Sequence, residues 1–500
     1  MMKHLNSWKL FSPSPYPLPP GEREFYLVPP SPKGVKRDSH LISPPSRGEE
    51  TKIKSPSLDG RGQGRVKLIL LMVCGVLLHA ATAEARIYIR IDEYSAKKFP
   101  IAVADLRPID GSYRGRLQRE IPEVIRKCLD ISGLFDVLSP DIFPSEDAGN
   151  IRLDNIIFSR WSLIDVQGVV KGGIREQGDK VIVELRLFDP SIKTLLVGKE
   201  YVADHTGSRT DKKFGADIAH RFTDEIVKAL TGYPGVFTTQ IAYVIHAKKK
   251  KNLAIMDVDG GNLRELTSGR VINISPAWSP DGRELVYTSF MKNAPDLFLI
   301  NTQGGSPKRI TFNGQANVSP VFSPDGKTIL ASSANSGDPE LVLMDHQGSP
   351  IMQIAPAYGV DVNPAWSPDG SQIVFASERA GKLHLFVTDR MGTSVRRLTF
   401  VGYQNDAPVW SPTGDKIAFQ SRDEGAFDIF VMNPDGSMVQ RLTHGPGNNE
   451  YPSWSPDGRY LTFNSSRSGH HQVYIMRKDG SNPYQITTDG GMMPTWSYGR

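Results

Sequence analysis

The sequence predicts a two-domain protein: a C-terminal all-β domain that forms a six-bladed β-propeller, preceded by a small mixed α/β domain. Three observations predict the propeller. A Trp-Ser-Pro-Asp-Gly motif recurs about every 44 residues, each period holds four strand-like segments, and incomplete periods lie at both ends of the array. The length of 500 residues exceeds what one ordinary core organises, and 46 glycines with 37 prolines favour many short strands.

The aromatic residue of the motif marks the repeat, with spacings of 44, 44, 44, 44 and 42 residues. Its six positions are Trp278, Phe322, Trp366, Trp410, Trp454 and Trp496. The period around Trp366 contains strand-like segments at 365–367, 372–377, 383–389 and 397–399. Four strands in about 40–45 residues are typical of a propeller blade rather than of a helical repeat. The Pro-Asp-Gly carboxylates recur in turns from blade to blade, which indicates a structural role rather than a catalytic one.

The two ends of the repeat array complement each other. Residues 239–267 supply the second, third and fourth strands of a blade, and residues 494–497 supply only a first strand. Five continuous blades and one split blade therefore make six. Pairing the two ends closes the ring and hides strand edges that an open array would expose. We assign residues 233–500 to the propeller.

Residues 86–232 are predicted to form the α/β domain. Leu117, Ile121, Ile125 and Leu129 are spaced four apart, which predicts one buried face of a helix over 115–130. The predicted strands are 86–91, 100–106, 133–138, 166–171, 181–188 and 195–201, with turns at Gly172-Gly173 and Asp189-Pro190 and a closing helix over 212–231. No catalytic grouping is visible, and the isolated His205 and His220 are interpreted as surface or packing residues.

Residues 66–85 resemble a secretory signal peptide. An apolar run of 11 residues at 68–78 follows Arg65 and Lys67 and precedes a stretch of small residues. The run is shorter than the roughly 20 residues that a membrane-spanning helix needs. We expect cleavage after Ala85, with Ala83 as the alternative. Cys74 as a lipoprotein acceptor is a second alternative, although Val73 stands before it where a small residue is usual.

Residues 1–65 contain 11 of the 37 prolines and are rich in Ser, Gly and Arg. Such a low-complexity stretch cannot build a core. A signal peptide begins at the start of a chain, whereas this one begins near Val66. We therefore interpret 1–65 as an artefact of gene annotation and expect translation to start near Val66.

The net charge of +5 resides in residues 1–65, because residues 86–500 carry 47 basic and 47 acidic side chains. This balance argues against nucleic acid as the main partner, since such binding needs a basic surface. Beyond Cys74, the chain has one other cysteine, Cys128, which we interpret as a buried helix residue.

The repeats, the domain order and the domain junction resemble the TolB family, whose propeller is of the WD40-like (PD40) type. The most specific stretches are 83–89 at the predicted mature start, 230–237 at the junction, and 494–498. The resemblance covers roughly 86–500. It implies a periplasmic, monomeric, non-enzymatic component of the Tol–Pal system that uses no cofactor and no metal and that links envelope constriction at cell division to outer-membrane integrity.

The resemblance also implies two partners, the peptidoglycan-associated lipoprotein Pal and the inner-membrane protein TolA, besides other outer-membrane proteins. A free N-terminal segment of the mature chain would bind TolA by adding a strand to its sheet. The alternative is that this segment is an internal strand of its own domain. The segment comprises Arg86, Ile87, Tyr88, Ile89, Arg90, Ile91 and Asp92.

For Pal, we expect binding by the loops that lead into the first strand of each blade, because these loops converge at one mouth of the channel. Their small polar residues are Asn273, Ser275, Asn317, Ser319, Asp361, Asn363, Asn405, Asp406, Asn449 and Glu450. The alternative is that these side chains only satisfy the backbone of turns. Asp361, Asp406 and Glu450 also offer oxygen ligands for Ca²⁺, although nothing in the sequence fixes their geometry.

Two other function classes stay open at this point. One is a channel-mouth lyase that uses His246 or a carboxylate, and the other is a periplasmic small-ligand sensor. A peptidase is disfavoured because the sequence contains no Gly-x-Ser-x-Gly nucleophile elbow, and the 11 histidines show no spacing typical of metal ligands.

Overall fold

The computed structural model describes residues 97–499 except 112, 114, 145–150, 205–207, 248–249, 292–293, 313, 335–336 and 423–424. The low-complexity stretch, the signal peptide and the strand predicted at 86–91 lie outside the described residues, as does His205. Within the described part of the chain, no helix is long and apolar enough to cross a membrane.

The N-terminal domain is a mixed sheet with helices packed against it. Its strands are β1 (Phe99–Val103), β2 (Arg107–Pro108), β3 (Phe135–Val137), β4 (Gly168–Gln177), β5 (Lys180–Asp189) and β6 (Thr194–Asp204). Its helices are α1 (Leu117–Ser132), α2 (Phe158–Ser162) and α3 (Ser208–Thr231), with 3₁₀ turns at Pro140–Ile142 and Leu153–Asn155. The sheet order is β3-β1-β4-β5-β6, with β2 beside β4. Strand β1 runs parallel to β3 and β4, whereas β4, β5 and β6 form an antiparallel meander.

Helix α1 confirms the helical spacing in the sequence, because Ile121, Ile125 and Leu129 are buried on one face. Pro122 lies inside the helix and has no backbone N–H to donate to the carbonyl of Gln118. That carbonyl accepts instead from the backbone N–H of Leu106 at 2.9 Å. The lost helical hydrogen bond is thus replaced by one that ties the helix to the segment between β1 and β2.

The turn predicted at Gly172-Gly173 is wrong, because both glycines lie in the middle of β4. A Cβ atom at Gly172 would lie 2.7 Å from the carbonyl oxygen of Glu184 and 2.5 Å from Leu106 Cδ2. The glycine therefore permits close approach within the sheet, and the chain turns later at Gly178, which has a φ of 65°. The turn predicted at Asp189-Pro190 is confirmed, since β5 ends at Asp189.

Gly172→Ala is expected to destabilise the protein by about 1–3 kcal/mol, because the new methyl group collides with backbone that cannot move without disturbing β5. Denaturant unfolding measures this loss. Gly198→Ala is the matched control, since a Cβ there meets its nearest atom at an ordinary 3.4 Å. Equal unfolding free energies for the two variants would contradict the close approach at Gly172.

The C-terminal domain consists of six four-stranded antiparallel sheets, which confirms the predicted six-bladed propeller. Blade 1 comprises β10 (Asn273–Trp278), β11 (Glu284–Ser289), β12 (Asp296–Asn301) and β13 (Lys308–Arg309). Blade 2 comprises β14 (Asn317–Phe322), β15 (Thr328–Ser333), β16 (Glu340–Asp345) and β17 (Pro350–Ile354). Blade 3 comprises β18 (Asp361–Trp366), β19 (Gln372–Ser377), β20 (His384–Asp389) and β21 (Arg396–Arg397).

Blade 4 comprises β22 (Gln404–Trp410), β23 (Ile417–Arg422), β24 (Phe427–Met432) and β25 (Gln440–Arg441). Blade 5 comprises β26 (Asn449–Trp454), β27 (Tyr460–Ser465), β28 (Gln472–Arg477) and β29 (Tyr484–Gln485). The split blade comprises β30 (Met492–Trp496), β7 (Gln240–Ala247), β8 (Lys250–Asp257) and β9 (Arg264–Glu265).

The split blade closes the ring, as the complementary ends of the repeat array predict. Trp496 pairs with Ile241 across the antiparallel junction of β30 and β7. The pairing continues beyond the strands, where Ser497 N donates to Gln240 O at 2.9 Å and Gln240 N donates to Ser497 Oγ at 3.0 Å. No edge of this blade is therefore left open at the junction.

The Ser-Pro-Asp-Gly turns owe their recurrence to a compact hydrogen-bond pattern. In blade 3, Ser367 Oγ donates to Asp369 Oδ1 at 2.5 Å and accepts from Gln372 N at 2.9 Å. The hydrogen bonds from Ser367 and from Ser371 lower the pKa of Asp369 to about 2. The aspartate thus holds the turn between the first and second strands, in agreement with a structural role.

One hydrophobic core extends across both domains, since Phe222 and Ile226 of α3 belong to the same buried cluster as Tyr460 and Trp496. Tyr460 Oη also donates to Ser132 O at 3.2 Å. Tyr460 begins the second strand of its blade, so the α/β domain packs against the propeller end that carries the Ser-Pro-Asp-Gly turns. Because successive strands alternate in direction, the loops that lead into each first strand lie at the opposite end.

Candidate protein-binding face

The loops that join the fourth strand of one blade to the first strand of the next are called the mouth loops here. They span 266–272, 310–316, 355–360, 398–403, 442–448 and 486–491. Next to them, a cavity of about 150 Å³ is lined by equivalent short segments of all six blades. The first lining residues of these segments are Ser275, Ser319, Asn363, Ala407, Tyr451 and Met493, each followed by a proline that also lines the cavity.

All six of these first lining residues have a left-handed backbone, with φ between 46° and 55°. Each lies within a β-bulge, where the pairing of the first strand with the second shifts by a residue, as between Ile274 and Ala277 in blade 1. A bulge changes the direction in which a side chain points and is common next to functional sites. The six bulges therefore determine which side chains point toward the inner wall of the ring.

Three of the ten residues predicted for Pal binding line this cavity, namely Ser275, Ser319 and Asn363. The other seven do not. Five of those seven lie at or next to the start of the first strands and are buried opposite a serine of the second strand; they are Asn273, Asn317, Asp361, Asn405 and Asn449.

Asn317 illustrates what these five buried residues do. Its Oδ1 accepts from Ser333 Oγ at 2.8 Å, and its Nδ2 donates to Gln315 O at 3.1 Å. The side chain thus fixes the preceding mouth loop to the blade. At this position the side chain satisfies the backbone of a loop, as the alternative interpretation of these residues states. A buried amide needs such hydrogen-bond partners inside the fold.

Asp406 and Glu450 lie one residue before the lining position, which Ala407 and Tyr451 occupy in their blades. In blades 4 and 5, Asp406 and Glu450 therefore do not occupy the position that Ser275 and Ser319 occupy in blades 1 and 2. Counting back three residues from the aromatic residue of each motif gives the lining position, because the bulge keeps a constant distance from it. The sequence analysis chose the neighbouring carboxylates, Asp406 and Glu450, only because they are polar.

Both carboxylates instead form a polar layer behind the cavity wall. Asp406 Oδ1 accepts from Asn363 Nδ2 at 2.8 Å, which joins blade 4 to blade 3, and burial raises its pKa. Glu450 Oε2 accepts from Asn464 Nδ2 at 3.3 Å and lies 3.7 Å from His471 Nδ1. Burial raises the pKa of Glu450 to about 7.

The three carboxylates considered as Ca²⁺ ligands are not brought together. Asp361 forms an ion pair with Arg379 at 2.7 Å, and among the described residues it shares no potential metal cluster with Asp406 and Glu450.

His246, the side chain considered for a lyase, lies in β7 and does not line the cavity. The residues Arg86–Asp92 considered for TolA lie outside the described part of the chain.

Large exposed side chains on three consecutive mouth loops were missed by the sequence analysis. We call them the aromatic rim, and they are between 63% and 93% exposed: Phe312, Tyr358, Phe400, Val401 and Tyr403. Cationic groups lie over three of the rings, Arg309 over Phe312, Arg397 over Phe400 and Lys382 over Tyr403, each at 4.9 Å from the centroid. The repeated segments Arg309–Phe312 and Arg397–Phe400, which share the pattern Arg-(Ile/Leu)-Thr-Phe, are the sequence signal for two of them.

The propeller end that faces away from the α/β domain thus combines a cavity of mixed polar and apolar lining with an exposed aromatic rim. Exposed apolar patches with a polar surround mark interaction surfaces. The fold and this surface define a two-domain β-propeller protein with a candidate protein-binding face.

Comparison with known families gives the particular family. The model of the TolB amino-terminal domain matches residues 87–194, and that of the TolB beta propeller domain matches residues 227–427 and 400–499. The chain belongs to the TolB family.

Individual relatives agree with this assignment. The chain is 36% identical over 222 residues to the Tol-Pal system protein TolB of Syntrophotalea carbinolica, covering 44% of this chain and 49% of the relative. It is 33% identical over 242 residues to the protein of the same name from Syntrophus aciditrophicus, covering 46% and 51%. The chain therefore spans about half the length of the curated relatives it matches.

A solved structure extends the similarity over most of the fold. The crystal structure of TolB from Acinetobacter baumannii is 27% identical and covers 81% of this chain and 98% of that chain, with a TM-score of 0.69.

Proposed function

We propose that this protein is a non-enzymatic periplasmic adaptor of the Tol–Pal system that binds the lipoprotein Pal on the propeller and TolA through Arg86–Asp92. In this role it links the outer membrane to the inner membrane during constriction at cell division. Residues 66–85 serve as the export signal, and residues 86–232 and 233–500 are the two functional domains. Family membership supports the proposal, since the relatives above are named as Tol-Pal system proteins.

The observation that carries the Pal-binding part is the aromatic rim beside the cavity, at the end that the α/β domain leaves free. Aromatic residues and arginine dominate the binding energy of protein interfaces. Three rim residues, Phe400, Val401 and Tyr403, come from one mouth loop. The hydrogen bond from Asn363 to Asp406 fixes one polar group of the cavity before a partner arrives, which lowers the entropic cost of binding.

The TolA-binding part rests on the sequence of residues 86–92, which alternates with the period of a strand. A free strand can extend a partner's sheet through main-chain hydrogen bonds. In that case, deleting residues 86–92 abolishes binding of TolA and leaves binding of Pal unchanged, because the rim lies on the other domain.

Titration calorimetry with the soluble domain of the same organism's Pal tests the proposal. We expect saturable one-to-one binding that weakens about thirtyfold in the double variant Phe400→Ala/Tyr403→Ala, since interface hot spots contribute about 2 kcal/mol or more. Met438→Ala is the matched control, because Met438 is also exposed but lies in a turn at the opposite end of the propeller.

Failure of the folded protein to bind Pal at tens of micromolar would overturn the proposed Pal-binding role. If the double variant bound Pal as tightly as the control variant, the rim would be rejected as the binding surface while the adaptor role stayed in place.

A further inference from the structure

We infer that Cys128, His220 and Asp259 form a binding site for a divalent transition-metal ion of the Zn²⁺ type at the junction of the two domains. Cys128 comes from α1, His220 from α3, and Asp259 from the turn that follows β8 of the split blade. One donor atom from each residue lies within 4.8 Å of the other two. The sequence gives no hint of this site, because only the docking of the domains brings the three residues together.

Burial distinguishes this group from an ordinary surface cluster. Cys128 is 0% exposed, His220 is 3% exposed and Asp259 is 4% exposed. The site therefore lies in the interior, where an unsatisfied polar atom is costly and a charged group needs a counter-charge. A cation that binds all three side chains meets both requirements.

The Nε2 atom of His220 is the second, independent observation. It is buried and lies 3.3 Å from Asp259 Oδ1, a contact that lacks hydrogen-bond geometry and becomes an ion pair when the imidazole is protonated. A metal ion would take the place of that proton between the ring nitrogen and the carboxylate, with the thiol of Cys128 beside them.

The other ring nitrogen of His220 faces a second carboxylate. Its Nδ1 atom lies 3.8 Å from Asp257 Oδ2, and Asp257 is itself held by Asn262 Nδ2 at 2.6 Å and by Gln240 Nε2 at 3.2 Å. Metal-binding histidines commonly direct their second nitrogen toward a carboxylate, which fixes the tautomer and the ring orientation. Asp257 is thus a positioning residue, and Nε2 is the ring nitrogen that would bind the ion together with Asp259.

The donor set decides the class of ion. A thiolate sulfur, an imidazole nitrogen and a carboxylate oxygen together suit Zn²⁺ and similar ions, whereas Ca²⁺ and Mg²⁺ prefer oxygen ligands alone. Bound there, the ion would connect α1 and α3 to the split blade. The consequence is a cross-link between the α/β domain and the propeller.

The test uses the purified chain with Cys74→Ser, so that Cys128 is the one remaining thiol. The protein is stripped with a chelator and titrated with Co²⁺, whose bond to a thiolate produces a charge-transfer absorption in the near ultraviolet. We expect one Co²⁺ per chain, displaced by Zn²⁺, and a rise of the melting temperature in excess Zn²⁺ because the ion binds the folded state. Cys128→Ala and His220→Gln should each abolish the absorption, whereas His444→Gln, at an exposed histidine, should leave it unchanged.

Titration of the folded Cys74→Ser protein is decisive by itself, so the test does not depend on how well the other variants fold. No bound Co²⁺, or bound Co²⁺ without a thiolate absorption, would overturn the inference. Such a result would mean that His220 only joins Asp257 and Asp259 electrostatically and that Cys128 only packs in the core.

Discussion

Trp496→Ala is expected to lower the free energy of unfolding by about 3–5 kcal/mol, as for other buried aromatic residues. Trp496 is buried in the strand that completes the split blade, and its Nε1 donates to Thr239 Oγ1 at 2.7 Å. Its ring lies 6.5 Å from that of Tyr460, within the core that both domains share. The substitution thus removes packing at the ring closure and at the domain junction together.

Denaturant unfolding followed by intrinsic fluorescence and by circular dichroism measures this effect. Trp454→Ala provides a comparison inside a continuous blade, where the indole N–H donates to Val409 O at 3.3 Å. Met438→Ala controls for the loss of a large side chain that is exposed. If Trp496→Ala unfolded at the same denaturant concentration as Met438→Ala, the closure would not hold the ring together.

Glu450→Gln is expected to remove a pH dependence of stability worth about 3 kcal/mol. Burial raises the pKa of Glu450 from 4.5 in the unfolded chain to about 7 in the folded one. Between these values the folded state binds more protons than the unfolded state, so stability falls as the pH rises from about 4.5 through 7. Glutamine resembles the protonated acid and carries no charge, so the variant should not lose this contribution.

The measurement compares urea unfolding of both proteins at pH 5 and at pH 8. Wild type should lose more stability than Glu450→Gln over this interval. Glu340 also has a pKa raised to about 7 by burial and by the nearby Asp361, so part of the wild-type dependence should remain in the variant. Glu123→Gln, at an exposed position on α1, is the control and should follow the wild type. Parallel curves for wild type and Glu450→Gln would contradict the assignment.

The propeller could be predicted from the sequence because its repeat is long and regular and its two ends are incomplete in complementary ways. Helix α1 could be predicted because Ile121, Ile125 and Leu129 follow the helical period. The Gly172-Gly173 pair could not be placed, since a turn and a close approach between strands both require glycine. Only the pairing of β4 with β5, which brings the carbonyl oxygen of Glu184 against Gly172, separates the two cases.

The location of the candidate site could be predicted from the sequence, but the residues that line it could not. Convergence of the mouth loops follows from the blade topology, whereas the lining residues depend on a bulge that shifts the strand pairing. Ala407 and Tyr451 line the cavity although neither is a small polar residue of the kind that the sequence analysis chose, and the polar Asp406 beside Ala407 turns inward. Part of the aromatic rim could have been predicted from the sequence, because Phe312 and Phe400 end the same four-residue pattern. The cluster of Cys128, His220 and Asp259 was not, because it depends on how two domains dock.

The ring closure also orders events during synthesis. Gln240 and Ser497, which hydrogen-bond across the junction, stand 257 positions apart in the chain. A ribosome therefore makes β7 long before it makes its partner β30, and a nascent chain that stops anywhere between them presents the unpaired edge of β7. A chain that has not yet made β30 offers this strand edge to proteases and to other chains. Synthesis of β30 is thus the step that lets the ring of this domain close.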